Sequence, residues 1–146
     1  MTDRRSFLGL LATTGVSSAS TQTTAAQTPP ESVSLIRLIA NPDIFHSRIV
    51  RVVGFCRLEF EGNALYLHRE DFERVLLAQA VQLDLSWPLG DKYRELSDTY
   101  VIIEGRFNGQ RRGRASAYAG EIGSLSRFER YPSRAEHEAL LRLGKQ

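Results

Sequence analysis

The sequence predicts a mainly β fold with flanking helices, in which five strands form one small Greek-key barrel. Three observations lead to this prediction. The 146 residues are 42% hydrophobic and 25% charged, which is the balance of a single globular domain. Segments rich in β-branched and aromatic residues recur along the chain, the longest beginning at Ile49 and at Tyr100. Gly54 lies within the first of them, and a helical segment separates the second strand from the fourth.

The chain divides into four segments of different composition and predicted role. Residues 1–26 are predicted to be an export signal and residues 27–32 a linker. Residues 33–131 then form the barrel domain, and residues 132–146 form a C-terminal helix or tail. Because a domain takes roughly 100–200 residues, the chain has room for one hydrophobic core.

A short helix is predicted at the start of the barrel domain. The apolar residues within 35–39 follow helical spacing, so they form one stripe. Either Ser32 or Ser34 can cap the first turn, and Asn41-Pro42 ends the helix. A further helical turn is expected at Asp43–His46 before the chain becomes extended.

The first two strands are predicted to form a tight hairpin. A strand from Ile49 to Phe60 is followed by Gly62-Asn63, an order that suits the central positions of a type II′ turn. This turn pairs Phe60 with Leu65 and leaves one apolar and one polar face. The apolar face carries Cys56, Leu58, Phe60, Leu65 and Leu67. The polar face carries Arg57, Glu59, Tyr66 and His68.

The chain contains one cysteine, Cys56, so it cannot form an internal disulfide. Its place on the apolar face indicates a small buried hydrophobe rather than a reactive thiol. The domain is therefore expected to fold on its hydrophobic core alone.

The remaining strands follow from the same patterns. A short helix is expected at Arg69–Leu77, and a third strand at Ala80–Leu85. A fourth strand is predicted at Tyr100–Phe107, followed by a polar, basic loop at Asn108–Arg114. A fifth strand is predicted at Ala117–Phe128, in which two glycines indicate a bend or bulge.

The C-terminal segment is predicted to be helical. Ser133 and Glu136 have the spacing of a capping box directly after Pro132, and the helix is expected to continue to about Leu143. Its leucines would either dock the helix on the barrel or leave it as a tail that binds a partner.

The N-terminal segment resembles a twin-arginine export signal. Two adjacent arginines are followed, after one residue, by a Phe-Leu pair, and the residues that carry the resemblance are Arg4, Arg5, Phe7 and Leu8. The apolar stretch behind them ends at Ala12 and is shorter than the roughly 20 residues that span a bilayer, so no permanent membrane anchor is expected. Small residues at Thr24 and Ala26 favour cleavage after Ala26. The resemblance implies the twin-arginine export machinery as a partner and a periplasmic or extracellular location.

Three segments of the barrel domain resemble a group of uncharacterised bacterial exported or envelope proteins. They are Leu58–Asp71, Tyr100–Asn108 and Tyr118–Ile122, and the resemblance extends over about residues 33–129. It implies a barrel of the oligonucleotide/oligosaccharide-binding (OB) type and no established activity. The predicted fold is therefore a small five-stranded OB-like Greek-key barrel with an N-terminal and a C-terminal helix.

The polar face of the predicted hairpin is the candidate ligand site. In OB folds the ligand lies on the second and third strands and the loops beside them, so the hairpin and the basic loop are expected to converge. Arginine and histidine would hold a small polar or anionic ligand, and Tyr66 would serve as a stacking platform. The candidate residues are Arg57, Glu59, Tyr66, His68, Arg111, Arg112 and Arg114. The alternative is a solvated sheet face on which these side chains form ordinary cross-strand pairs.

Other classes of function have less support in the sequence. His68, Glu70 and Asp71 lie together, but the three histidines lack a zinc-ligand spacing, so neither a metal nor another cofactor is expected. The sequence carries no Gly-x-Ser-x-Gly motif of a hydrolase. Acidic residues alternate with basic ones along the hairpin and the formal charge is only +2, which disfavours binding of nucleic acid.

The sequence therefore predicts a non-enzymatic binding or interaction module that acts outside the cytoplasm. Its partner would be an unknown small ligand or an envelope protein. Two alternative hypotheses remain. One is a small metal-dependent or hydrolytic envelope enzyme that uses the same hairpin face, and the other is a binder of single-stranded nucleic acid or oligosaccharide.

Overall fold

The computed structural model describes residues 28–60, 62–86 and 90–144, without the side chains of Lys92 and Arg114. The predicted export signal and its cleavage site after Ala26 lie outside these residues. Within the described ranges, no helix has the length and apolar character needed to cross a membrane.

Within these ranges, six strands form one sheet, and five of them close into a barrel. The strands are β1 (Glu31–Ser32), β2 (Ile49–Arg57), β3 (Ala64–Tyr66), β4 (Ala80–Leu83), β5 (Thr99–Asn108) and β6 (Glu121–Arg130). Neighbouring strands follow the order β1-β2-β3-β4-β6-β5, and an additional pairing between β2 and β5 closes the barrel. The β4–β6 and β1–β2 pairs are parallel, and the other pairs are antiparallel. The fold is therefore mainly β, as the sequence predicts.

Short helices fill the connections and flank the barrel. They are α1 (Leu35–Ala40), α2 (Pro42–Phe45), α3 (Arg69–Glu73), α4 (Asp91–Arg94) and α5 (Arg134–Leu143), and 3₁₀ turns lie at Leu77–Gln79 and Arg114–Ser116. The helix predicted from the first apolar stripe is α1. The backbone N–H of Arg37 donates to Ser34 Oγ over 3.3 Å, so Ser34 rather than Ser32 caps this helix.

The predicted capping box of α5 is confirmed. The backbone N–H of Ser133 donates to Glu136 Oε2 over 2.7 Å, and the backbone N–H of Glu136 donates to Ser133 Oγ over 3.4 Å. Glu136 also forms an ion pair with Arg130 of β6. The leucines of α5 are exposed, so they do not pack on the barrel in this structure.

The barrel interior is filled by apolar side chains that alternate along the strands. Among them are Val50, Val52, Leu65, Val81, Leu83, Val101, Ile103, Phe107 and Ile122. Helices α1 and α2 add Leu35, Leu38 and Phe45 to the same core. Cys56 is fully buried there, and its burial raises the pKa of the thiol to about 12, with a smaller contribution from Asp98. The interpretation of Cys56 as a buried hydrophobe is therefore confirmed.

The predicted hairpin between the first two barrel strands is wrong in its register. Leu65 pairs with Cys56 rather than with Phe60, so the partner of Leu65 moves by four residues. β2 ends at Arg57 and β3 begins at Ala64, so the two strands are not joined by the predicted two-residue turn. Because the displacement is an even number of residues, Cys56 and Leu65 still share the apolar face. Phe60, predicted on that face, is instead 69% exposed.

The end of β2 is bonded to the segment that precedes β5. The backbone N–H of Asp98 donates to the carbonyl oxygen of Cys56 over 2.8 Å. The backbone N–H of Leu58 donates to Ser97 Oγ over 3.0 Å. Both bonds lie on the edge of β2 that faces β5, because residues two apart in a strand direct their N–H and C=O groups to the same edge.

Three other element bounds differ from the sequence prediction by two residues or more. The helix predicted at Arg69–Leu77 ends at Glu73, because Val75 adopts a left-handed φ of 58°. The third barrel strand ends at Leu83, and the fifth begins at Glu121. The irregularity predicted within the fifth strand is confirmed by a register shift between β5 and β6.

Gly54 marks the closest approach of β2 to β3. A Cβ atom at Gly54 would lie 2.7 Å from the carbonyl oxygen of Tyr66 and 2.8 Å from Leu65 Cγ. Gly54 also pairs with Val101 of β5, so at this point β2 has neighbours on both edges. A side chain here would therefore push β3 away from β2.

We expect Gly54→Ala to lower the free energy of unfolding by about 3 kcal/mol, because overpacking forces backbone to move. Urea unfolding of the purified protein measures this loss. Gly144→Ala is the matched control, since a Cβ there would lie 3.7 Å from the Leu140 carbonyl oxygen, an ordinary contact. The control should change stability by no more than about 0.5 kcal/mol. Equal effects of the two variants would contradict the close approach at Gly54.

Candidate functional site

The outward-facing side of strands β2, β3 and β4 is partly covered by other segments. Buried side chains on this side form a cluster that is separate from the barrel interior. We call it the outer aromatic cluster, and it consists of Phe55, Ala64, Tyr66 and Ala80 with Phe72, Leu77 and Tyr118 packed against them. The face predicted to be open and polar is therefore, in its central part, a small second core.

Tyr66 is not the open stacking platform that the sequence predicts. The residue is 3% exposed, and its ring packs edge-on against Phe72 with the ring centroids 5.6 Å apart. Its hydroxyl forms a hydrogen bond with Tyr118. Burial is the main cause that raises the pKa of Tyr66 to about 12, and Tyr118 and Glu59 add to it. The physical reason is that α3 and the segment before β6 fold over this strand and cover the ring.

Arg57 lies at the end of β2 in a network of opposite charges. Its Nε donates to Glu59 Oε1 over 2.9 Å, and its Nη1 donates to the carboxylate of Asp98. The guanidinium also lies 4.8 Å from the centroid of the Phe72 ring. The hydrogen bond to Glu59 is the largest of the effects that raise the pKa of Arg57 above its ordinary value. Arg57 is therefore held in place between two carboxylates and α3.

Glu59 and His68, which the sequence also assigns to the site, are both exposed. His68 precedes α3, where its backbone N–H donates to Asp71 Oδ2 over 3.0 Å. The His68 Nδ1 lies 3.4 Å from the hydroxyl of Tyr100, whose ring packs edge-on against Phe55. The structure thus places His68 at the rim of the outer aromatic cluster.

The basic loop after β5 folds over the same outer face. Arg111 Nη1 lies 3.2 Å from Glu121 Oε1. Arg112 is exposed, and its carbonyl oxygen accepts a hydrogen bond from the backbone N–H of Tyr118 over 3.1 Å. The side chain of Arg114 lies outside the described part of the chain. The loop therefore reaches the sheet through Arg111 and Tyr118.

Gly113 allows this loop to lie directly on β4. Its φ is +64°, a conformation that favours glycine. A Cβ at Gly113 would lie 2.2 Å from Gln82 Oε1 and 2.7 Å from the ring of Tyr118. The loop backbone therefore covers one side of the Gln82 amide.

A row of residues crosses the outer face from β2 to β6. Arg57 pairs with Ala64, and Ala64 pairs with Gln82. Gln82 in turn pairs with Glu121. A cleft of about 320 Å³ opens at the β6 end of this row. We call it the outer-sheet cleft, and it is lined by Phe60, Asn63, Gln82, Leu83, Asp84, Leu85, Arg111 and Glu121.

Glu121 is a buried carboxyl group in the wall of the outer-sheet cleft. Its side chain is 10% exposed, whereas that of its partner Arg111 is 65% exposed. Burial raises the pKa of Glu121; Arg111 opposes this effect, and the charge of Asp84 adds to it. The carboxyl therefore lies below the protein surface, with a guanidinium at the rim of the cleft.

Two amide side chains of the cleft carry carbonyl oxygens that have no hydrogen-bond partner among the described residues. They are Asn63 Oδ1 and Gln82 Oε1, and both atoms are buried. Asn63 as a whole is 8% exposed. A buried acceptor without a partner costs about 1–3 kcal/mol of stability. Since Asn63 lines the cleft, a hydrogen-bond donor bound there would satisfy this oxygen.

The outer-sheet cleft is rich in hydrogen-bond acceptors. Its polar lining consists of two amide side chains, two carboxylates and the single guanidinium of Arg111. Such a lining can hold a polar ligand that presents several donors. Within the described ranges, no group of three or more His, Cys, Asp or Glu side chains is arranged to hold a metal ion.

Sequence analysis missed four residues of this cleft, namely Asn63, Gln82, Asp84 and Glu121. Asn63 has the place of a turn residue in the predicted hairpin, and Gln82 and Asp84 fall on the polar positions of an ordinary strand. One feature of the sequence could have indicated the cleft. Glu121 is a charged residue that follows Gly120 and directly precedes Ile122, a core residue, at the start of β6. A buried carboxyl at such a position needs a partner, which the basic loop supplies.

No protein-family model matches the chain, and no curated protein matches it. Among solved structures, the chain is similar to the crystal structure of a DUF3299 family protein from Pseudomonas aeruginosa PAO1. The two share 9% sequence identity, with a TM-score of 0.49, and the similarity covers 73% of this chain and 99% of that chain.

The burial of Tyr66 predicts a dependence of stability on alkaline pH. Because the pKa of Tyr66 is raised in the folded protein, the contribution of Tyr66 to the free energy of unfolding should be fully present below its unfolded pKa of about 10. It should fall as the pH rises from about 10 towards 12. Urea unfolding across this range measures the slope for the wild type and for Tyr66→Phe.

The variant should show a shallower decline than the wild type. Cys56 and Tyr118 also have raised pKa values and titrate in the same direction, but they are present in both proteins. The difference between the two slopes therefore reports Tyr66 together with its hydrogen bond to Tyr118. Identical slopes would show that Tyr66 has the same pKa in the folded and the unfolded protein, which would contradict its burial.

Proposed function

We propose that the protein is a non-enzymatic binding module that holds a small polar ligand in the outer-sheet cleft. The observation that carries the proposal is the carbonyl oxygen of Asn63, which is buried, lines the cleft and has no hydrogen-bond partner among the described residues. Most buried polar groups of folded proteins are hydrogen-bonded, so this oxygen requires a donor, which either water or a ligand can supply. Glu121, below Arg111, supplies a second buried acceptor.

The strand arrangement supports the OB-like Greek-key assignment and the position of the site within it. The chain crosses from β4 to β5 on the far side of the barrel and returns as β6 beside β4, so β4 and β6 are parallel. In OB barrels, ligands bind on the second and third strands and the loops after the first and fourth strands. Phe60 and Asn63 lie in the loop after β2, the first barrel strand, and Arg111 lies in the loop after β5, the fourth. The helices α1 and α5 flank the barrel at its two chain ends.

The module is further proposed to act in the periplasm or outside the cell after twin-arginine export. The support is the Arg4-Arg5 pair and the Phe-Leu pair that follows it in the N-terminal segment. Removal of residues 1–26 would leave the linker and all elements of the barrel intact. The partners in this proposal are the export machinery and the ligand of the cleft.

Hydrolysis is the second candidate function, because burial and Asp84 raise the pKa of Glu121. A carboxyl of this kind can act as a general acid. The Arg111 guanidinium, 3.2 Å away, acts in the opposite direction and favours the charged form. Binding is therefore the better-supported function of the cleft.

Titration of isotopically labelled protein tests the binding site by nuclear magnetic resonance. The probe is one pool of neutral saccharides, inorganic phosphate, spermidine and a short oligothymidylate, each at millimolar concentration. We expect the side-chain amide signals of Asn63 and Gln82 to shift, because a ligand donor would bond to their oxygens. Loss of a pool component with time would instead indicate hydrolysis.

The matched variants are Gln82→Leu, which removes a cleft amide, and Gln79→Leu, which makes the same change at an exposed position outside the cleft. The first should abolish the shift of the Asn63 amide, and the second should preserve it. A pool that shifts no cleft signal, or that shifts it equally in both variants, would contradict binding in the cleft.

Export is tested by the intact mass and location of the chain in a bacterium that has twin-arginine machinery. We expect the wild-type chain in the periplasm or medium, beginning at Gln27. Replacement of Arg4 and Arg5 by lysine should leave the full-length chain in the cytoplasm, because the export signal requires its arginine pair. Replacement of the exposed Arg134 by lysine is the control and should not affect export. A wild-type chain that keeps its first residues would contradict the proposed location.

A further inference from the structure

We infer that the ligand of the outer-sheet cleft carries a primary ammonium group, which donates hydrogen bonds to the oxygens of the cleft and offsets its negative charge. This inference rests on the proposed binding function and narrows it to small cationic amines. Three features of the cleft lead to it, namely its acceptor oxygens, its charge balance and the accessibility of Asp84.

The buried polar groups of the cleft are mostly acceptors of hydrogen bonds. Asn63 is 8% exposed, and its Oδ1 atom is buried without a partner among the described residues. Gln82 Oε1 is also buried without such a partner, and Gln82 pairs with Glu121, whose side chain is 10% exposed. An ammonium group carries three N–H donors and no acceptor, so it matches this set of oxygens.

The charge balance of the cleft favours a cation. Its described lining contains two carboxylates, Asp84 and Glu121, and one guanidinium, that of Arg111, so it carries one more negative than positive charge when both carboxyls are ionised. The Arg111 side chain is 65% exposed, where water and salt screen its charge, whereas Glu121 is buried. One bound ammonium would bring the lining to neutrality, whereas an anion would approach two carboxylates.

The pKa of Glu121 indicates that Arg111 does not fully offset the burial of this carboxyl. Burial raises the pKa, Arg111 opposes the increase and Asp84 adds to it, and the pKa stays above its ordinary value. The ionised form of Glu121 therefore lacks stabilising positive charge. Water supplies hydrogen-bond donors without charge, whereas an ammonium group supplies both. This difference favours an ammonium ligand over water in the cleft.

The carboxylate of Asp84 is accessible to a ligand. Asp84 is exposed, and its backbone N–H donates to the carbonyl oxygen of Ile122, which places it beside Gly123 of β6. A Cβ atom at Gly123 would lie 3.3 Å from Asp84 Oδ2. Because Gly123 has no side chain, β6 leaves this side of the carboxylate uncovered. Asp84 thus provides an anionic group that an amine can reach from solvent.

The oxygens of the cleft suit an ammonium group better than a calcium ion. Calcium takes roughly six to eight oxygen ligands, whereas the described lining offers four side chains that carry acceptor oxygens. A divalent ion would also exceed the single excess negative charge and would lie near the Arg111 guanidinium, a like charge. A primary ammonium needs about three acceptors and one compensating charge, and the cleft contains both.

The inference is tested by titrating the isotopically labelled protein with matched small molecules, one at a time. Ethanolamine, protonated at neutral pH, and spermidine are the ammonium probes, and ethylene glycol has a hydroxyl in place of the ammonium of ethanolamine. Tetramethylammonium carries the charge without N–H donors, and calcium and inorganic phosphate are the inorganic probes. We expect the two amines to shift the side-chain amide signals of Asn63 and Gln82, and the other probes to leave them in place.

Asp84→Asn and Asp91→Asn are matched variants that each remove one carboxylate. Asp84 lines the cleft, whereas Asp91 lies outside it on α4 with a side chain that is 98% exposed. Asp84→Asn should weaken ethanolamine binding by about fivefold, because one partly exposed opposite charge is lost. Its urea midpoint should not change, since Asp84 is exposed. Asp91→Asn should change neither quantity.

Each result decides between distinct conclusions. Cleft shifts with ethylene glycol or tetramethylammonium as large as those with ethanolamine would overturn the inference, because a hydroxyl donor or a charge alone would then suffice. Equal binding of ethanolamine by the two variants would also overturn it. Cleft shifts with any other probe or pool component, but with neither amine, would overturn the inference and leave the proposed binding function standing. Absence of cleft shifts with every compound would overturn both.

Discussion

The whole structure depends on β2, which pairs with strands on both of its edges at the same time. It pairs with β5 over Ile49–Cys56 and with β3 over Phe55–Arg57, and the first of these pairings closes the barrel. Closure removes exposed edges that would otherwise be open to other chains. β2 also approaches β3 closely at Gly54, where no side chain can be accommodated without backbone movement.

Closure of the barrel has a consequence for the outer face. One side of each strand faces the barrel interior. Much of the other side of β2, β3 and β4 is covered by Phe72 of α3 and by Tyr118 of the loop before β6. Polar groups collect where this cover ends, in the outer-sheet cleft between β4, β6 and two loops. In the proposed function, stability and ligand binding thus depend on different parts of one face. The buried Glu121 and the Asn63 oxygen, which has no hydrogen-bond partner among the described residues, reduce stability at the cleft.

The hairpin shows how far alternation of side chains predicts a structure. Alternation correctly places Cys56 and Leu65 on one apolar face, because successive side chains of a strand point to opposite faces of the sheet. A displacement by four residues preserves the same alternation, so the pattern could not distinguish the two registers. In the observed register Leu65 pairs both with Cys56 and with Val81 of β4, and this second partner lies outside the hairpin.

The sequence alone was sufficient for the approximate positions of the five barrel strands and of α1, α2, α3 and α5, for the buried Cys56 and for the capping box of α5. Each of these follows from local spacing, local propensity or the order of elements. The tertiary structure decided the register of the hairpin, the burial of Tyr66 and the meeting of Asn63, Gln82 and Glu121 in one cleft. These features depend on contacts between segments that are far apart in the chain. Such contacts form only when the barrel closes, so local patterns in the sequence cannot predict them.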